Sequence, residues 1–166
     1  LKDYTKADPY AEWLEQEGVK VHEEFYFPSL AKIELGPWER KGGSGAVVHI
    51  ANRHMPNDCH VVEIKPGGKS EPEHHMYEST IYVVSGRGAT TIWQDEKQKK
   101  SFEWQAGSLF SIPLNAWYQN CNGSGNEPKR YITVTNGAPV VGLVGGWKCI
   151  FNEDIGFSGR YAGEEN

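Results

Sequence analysis

The sequence predicts an all-β protein, a jelly-roll β-barrel preceded by one short N-terminal helix. Short apolar runs recur along the whole chain of 166 residues, and 19 glycines and 9 prolines fall between them as turn signals. Beyond the N-terminus no helical periodicity separates the runs, which points away from alternating β/α architectures. A chain of this length buries one sizeable core and is short for two.

The elements follow in order. Asp8-Pro9 offers a helix cap and a proline suited to the first turn, Tyr10, Trp13 and Leu14 form an apolar stripe, and Gly18 ends the helix. Extended segments are expected at 20–26, 32–36, 46–51, 58–65, 80–85, 89–94, 101–104, 107–112, 116–121, 130–136 and 139–144. Turns separate them at Pro66-Gly67-Gly68, Gly86-Arg87-Gly88, Asp95-Glu96, Ala106-Gly107, Asn122-Gly123-Ser124-Gly125 and Gly137-Ala138-Pro139. The expected organisation is an N-terminal helix with edge or dimerisation strands over 1–44, the barrel over 45–145 and a C-terminal extension over 146–166.

Composition narrows the function. The net charge is −5, and the one dense basic cluster, Lys97 to Lys100, reads as a polar hairpin tip, so no nucleic-acid partner is expected. No apolar run approaches the roughly 18 residues of a membrane span, and no signal segment opens the chain, so no membrane partner is expected. Cys59, Cys121 and Cys149 are an odd number without a C-x-x-C pair, which argues against a disulfide framework and for a reducing, cytoplasmic setting. The chain begins at Leu1 and ends in polar residues, so a processed chain or part of a longer one is expected.

Two segments share one spacing grammar. The first places Gly67, Glu73, His75, Ser79 and Gly86 at intervals of five, one, three and six intervening residues. The second places Gly107, Pro113, Asn115, Tyr118 and Asn122 at intervals of five, one, two and three. These stretches, PGGKSEPEHHMYESTIYVVSG and GSLFSIPLNAWYQNCN, resemble the paired motifs of the cupin superfamily. The runs IYVVSGRGATTIW, FEWQAGSLFSIP and NGSGNEPKRYITVTN are closest in texture to gentisate dioxygenase-like cupins and related two-cupin proteins. The resemblance implies a cupin barrel and His, His, Glu and His at the four side-chain positions. Here they are Glu73, His75, Ser79 and Tyr118.

Strand alternation sends Glu73 and His75 to one face, and an iron site takes two imidazoles and a carboxylate with open positions left for oxygen and substrate. The resemblance therefore implies a divalent transition metal, iron first, held by Glu73 and His75 with Tyr118 or His74; the other reading is a barrel without metal in which His75 is a buried, hydrogen-bonded histidine. His74 would enter by a one-residue shift from Gly68, and Glu78 could replace the carboxylate missing at Ser79. Without metal, Tyr118 would serve as proton donor and Glu73 or His75 as base. His49 and His60 read as strand histidines of the core or edge, and Lys129 and Arg130 as part of a solvated loop.

The function expected is that of a cupin-fold small-molecule enzyme, a metal-dependent, dioxygenase-like oxidoreductase acting on an aromatic or carboxylate-bearing substrate. The alternative is a metal-free cupin half with a binding or structural role. The aromatic stretch EEFYFPSL and the strand after it exceed what one barrel needs, so a homodimer or pairing with a second cupin domain is expected.

Overall fold

A computed structural model describes residues 8–50, 57–144, 147, 150 and 151. Helix α1 (Pro9–Glu17) is capped as its sequence requires: the Asp8 side chain accepts from the N–H groups of Tyr10 and Ala11, and Gly18 closes it in the left-handed region. Ten strands follow: β1 (Lys20–Glu24), β2 (Gly36–Trp38), β3 (Gly43–Ile50), β4 (Asp58–Ile64), β5 (Ser79–Ser85), β6 (Arg87–Trp93), β7 (Lys100–Gln105), β8 (Leu109–Ile112), β9 (Trp117–Asn122) and β10 (Lys129–Thr135). A second helix, α2 (Gly137–Val144), closes the described order.

The strands form two sheets. The larger runs β1-β3-β4-β10-β5-β8, with β2 added beside β3, and the smaller runs β7-β6-β9. All pairings are antiparallel except β1 with β3. Alternation decides which side chains meet between the sheets. Val47, Val62, Ile64, Ile81, Ile112, Tyr118 and Tyr131 form the interior cluster, and Trp13 of α1 and Trp38 of β2 join it. The opposite faces of β3, β4 and β10 supply Ala46, Val48, Cys59, Val61 and Ile132 to a second cluster, covered by Phe27, Leu30, Ile33 and Leu35. Strands buried on both faces read as continuous apolar runs, as AVVHI and CHVVEI do.

Two expected strands are corrected. Residues 139–144 are helical: Pro139 sits in the first turn, where its missing N–H costs nothing, and Val140 N–H bonds the Asn136 carbonyl at 3.3 Å. A short apolar run does not distinguish strand from helix by periodicity. The segment 32–36 gives way to a 310 turn at Leu30–Lys32 and to β2. Carbonyls of the turn and of the residue after it are taken by Arg130, which donates to Leu30 O, Ala31 O and Ile33 O at 3.1, 2.8 and 3.0 Å and grips Glu63 through Nε and Nη2. Arg130 thus pins that loop to the outer face of the large sheet. It is no solvated loop residue, and neither is the buried Lys129. Residue 51, Cys149 and most of the expected C-terminal extension lie outside the described residues.

Candidate functional site

The segment before β5 runs along β9. Ser70 N–H bonds Asn120 O at 2.8 Å, and Glu73 and Tyr118 exchange both backbone hydrogen bonds at 2.8 Å. Residues paired in this way project side chains from the same face of the ladder, so Glu73 and Tyr118 enter the barrel side by side. His75, two residues on, follows Glu73 inward. Asn115, the one described non-glycine residue at positive φ (63°), turns the chain from β8 into β9, and its N–H bonds His75 O at 3.3 Å. Asparagine tolerates that region better than most residues.

Glu73, His75 and Tyr118 are joined in this interior by a side chain that was not expected, Lys41. Lys41 ends a 310 turn at Glu39–Lys41, and its ammonium donates to Glu73 Oε2 in a buried ion pair. The following Gly42 lies in the left-handed region, and a Cβ there would stand 2.8 Å from Glu71 N, so the turn seats directly on the segment that carries Glu73. Exposure is 2% for Lys41, 3% for Glu73, 2% for His75 and 1% for Tyr118, which places all four out of bulk water.

Hydrogen bonding sets the chemical state of each group. His75 Nδ1 donates to Tyr77 O at 2.9 Å, leaving Nε2 as the unprotonated nitrogen, and the ring stacks on Tyr77 with centroids 3.9 Å apart. Burial, then the charge of Lys41, push the His75 pKa down to about 3. Burial, then the charge of Glu73, push Tyr118 well above the ordinary phenol range, and the hydrogen bond between its hydroxyl and Glu73 adds to this. Tyr118 is therefore a protonated donor. Two acceptor atoms, Glu73 Oε1 and His75 Nε2, are buried with no hydrogen-bond partner among the described residues, as is Ser79 Oγ on β5.

The other expected ligands fall elsewhere. His74 stacks on Trp117 with centroids 5.0 Å apart, and Trp117 stacks in turn on Trp93, on the face of β9 opposite Tyr118. Glu78 is exposed, its N–H held by Asn136 Oδ1. His49 and His60 flank the buried Asp58 at 3.5 and 3.4 Å, and His60 meets the edge of Trp38 with centroids 5.2 Å apart. Over the site, Trp13 lies flat on Phe151 at 5.0 Å, and α1 is tied down by Glu17, which accepts from Trp38 Nε1 and Arg40.

The donor set does not suit a metal ion. The carboxylate is engaged by Lys41, the phenol is protonated, and among the described residues a single imidazole, that of His75, stands beside them. Among the described residues no group of three or more His, Cys, Asp or Glu side chains is arranged to hold an ion. Lys41 had no local signal in the sequence: it lies 32 positions from Glu73, in a turn that no motif covers.

Residues 60–135 match the family described as Cupin domain. Solved structures agree on the architecture. The Lactobacillus farciminis oxalate decarboxylase formate complex matches with TM-score 0.52 and 24% identity, over 66% of this chain and 34% of that one. A Bacillus subtilis oxalate decarboxylase structure, determined in work on its Mn(II) centres, matches with TM-score 0.54 and 19% identity, over 66% and 30% of the two chains. Vicilin from Solanum lycopersicum (tomato) matches with TM-score 0.50 and 19% identity, over 56% and 28%. No curated protein matches the sequence. The architecture is the cupin fold that the paired motifs implied, and the chain spans about a third of the length of the solved chains it resembles. No described helix is long and apolar enough to cross a membrane.

Proposed function

We propose that the chain is a cupin-fold small-molecule enzyme that works by proton transfer inside the barrel. His75 is the base, Tyr118 the proton donor, and Glu73 the carboxylate that orients Tyr118 and receives a hydrogen bond from the substrate. The observation that carries this reading is the pair of unpartnered buried acceptors, His75 Nε2 and Glu73 Oε1. Sealing an acceptor from water without a donor costs about 1–3 kcal/mol, which a hydroxyl-bearing ligand would relieve. The substrate proposed is a compact carbonyl compound, aromatic or carboxylate-bearing, with an acidic C–H beside the carbonyl. The C–H proton passes to Nε2, the electron pair moves onto the carbonyl oxygen, and that oxygen takes the proton of Tyr118. His75 then gives its proton to the former carbonyl carbon, while the hydroxyl on the carbon that lost its C–H proton gives its own proton back to the Tyr118 oxygen. This completes an isomerisation of a hydroxy-carbonyl compound, restores both side chains and needs no oxidant.

The Mn(II) centres named for the Bacillus subtilis enzyme are that protein's own. With the donors present here, no step is routed through a metal. A reducing, cytoplasmic setting suits the free thiols of Cys59 and Cys121. The partner proposed is a second copy of this chain across the β1 edge, where Phe25 and Tyr26 are 83% and 73% exposed. Light scattering tests it: Phe25→Ser with Tyr26→Ser should turn a dimer into a monomer. A parent that is monomeric at all concentrations sets this aside in favour of a second cupin domain.

The burial of all four site residues favours one other reading, a metal-free cupin half that binds or packs without catalysis. Deuterium exchange separates the two. A panel of hydroxy-carbonyl compounds, with and without a carboxylate, is incubated with the protein in D2O and followed by NMR. The enzyme reading expects exchange at one C–H, reduced at least about 100-fold in His75→Asn and Tyr118→Phe. Exchange that is absent, or equal in parent and variants, selects the binding or packing role.

A further inference from the structure

We infer that Lys41 is the resident cation of this barrel, standing at the carboxylate a metal would need, so that the site is built to work without a metal ion. The inference rests on the proposed function only in treating this interior as the working site.

The placement is structural. Trp38 of β2 and Gly42 bracket the turn that carries Lys41, Gly42 jams it against Glu71, and the ammonium lies 5.4 Å from the Trp38 ring centre as well as on Glu73. The neighbouring Arg40 goes the other way, onto Glu17 and over the Phe151 ring at 4.5 Å. Two adjacent cations are thus divided between the closing layer and the interior.

Charge makes the same point. At this site one ammonium stands against one carboxylate, and the neutral His75 imidazole and Tyr118 phenol leave that local balance unchanged. A divalent ion at Glu73 would have to displace the ammonium or sit against it, where poorly screened repulsion between like charges is large. The ammonium has three N–H donors. Those not spent on Glu73 can meet the oxygen of a substrate carbonyl, a task otherwise given to a Lewis-acid metal.

The test uses the full chain with Mn2+, Ni2+ and Zn2+ as probes, by calorimetry and thermal melting. The parent and Tyr118→His should bind no ion, because Lys41 still holds Glu73. Lys41→Met with Tyr118→His should gain one ion per chain, at least 100-fold tighter than the parent, and its melting temperature should rise with added metal. Lys41→Met with Glu73→Gln is the control for folding and should not respond. A second measurement needs no variant at the lysine. The 15N signal of the Lys41 ammonium, assigned by its loss in Glu73→Gln, should stay in place with tenfold Zn2+.

Stoichiometric metal in the parent overturns the inference, as does displacement of the ammonium signal by one equivalent of Zn2+. Failure of the Lys41→Met, Tyr118→His variant to bind or be stabilised by any of the three ions overturns it too. These readings contain no activity. A missing exchange reaction therefore removes the proton-transfer proposal without touching this one.

Discussion

Two lysines are buried in the same barrel by different means. Lys41 meets a carboxylate, while Lys129, fully buried on β10, lies over Trp104 at 4.0 Å and Tyr131 at 5.3 Å and has one long hydrogen bond, 3.4 Å, to Cys121 O. Ring faces attract a cation but do not neutralise it. Burial accordingly pulls the Lys129 pKa down to about 7, whereas the charge of Lys41 is answered by Glu73. Opposite charge makes a buried lysine part of a site; aromatic contact alone makes it a titrating group near neutrality.

The largest effect expected is from parting Lys41 and Glu73. Glu73→Leu leaves a buried charge alone and should lower stability by about 3–5 kcal/mol in urea unfolding, while the further change Lys41→Met should recover most of the loss. Lys129→Met should cost nothing or stabilise at pH 6. Equal costs at the two lysines would erase the distinction between them.

The acid limb tests the interior end. His75 binds its proton in the unfolded chain near pH 6.5 but in the fold only near 3. Between these values the unfolded state holds more protons, so stability is intact above about pH 6.5 and is lost as pH falls through the window, by about 1.4 kcal/mol per pH unit. His75→Asn should flatten this limb in denaturation curves at pH 4–7.

Lys129 acts on the alkaline side. The folded amine releases its proton near 7 and the unfolded one near 10.5. The unfolded state again binds more protons between these values, so the penalty is full below about pH 7 and is relieved as pH rises, with the same slope per unit. Lys129→Met should remove that rise and leave the acid limb alone. A parent whose stability is level from pH 7 to 9.5 contradicts the reading.

The smallest effect concerns the helix over the Lys41 end. Asp8→Ala removes the cap of α1 and should cost about 1 kcal/mol in thermal or urea unfolding. It should leave the pH slope assigned to Lys129 unchanged.

Local chemistry made much of the fold readable. Asp8, Pro9 and Gly18 bound a helix because each satisfies a terminal geometry that few other residues do. Glu73, His75 and Tyr118 were readable as neighbours because two spacing patterns set strand positions, and alternation sets faces. The same alternation excludes His74, which any one-residue shift would have required. Helix α2 was misread because four apolar residues after Pro139 fit either period.

What the sequence determined by itself was therefore the barrel and the three motif side chains on its inner face, since turn chemistry and periodicity act between near neighbours. What the tertiary structure alone decided was the charge those side chains share. Lys41 reaches Glu73 across 32 positions and Arg130 reaches the Leu30 carbonyl across 100, and neither contact leaves a periodic trace. Periodicity says which face a residue takes; only the closed fold says which charge waits there.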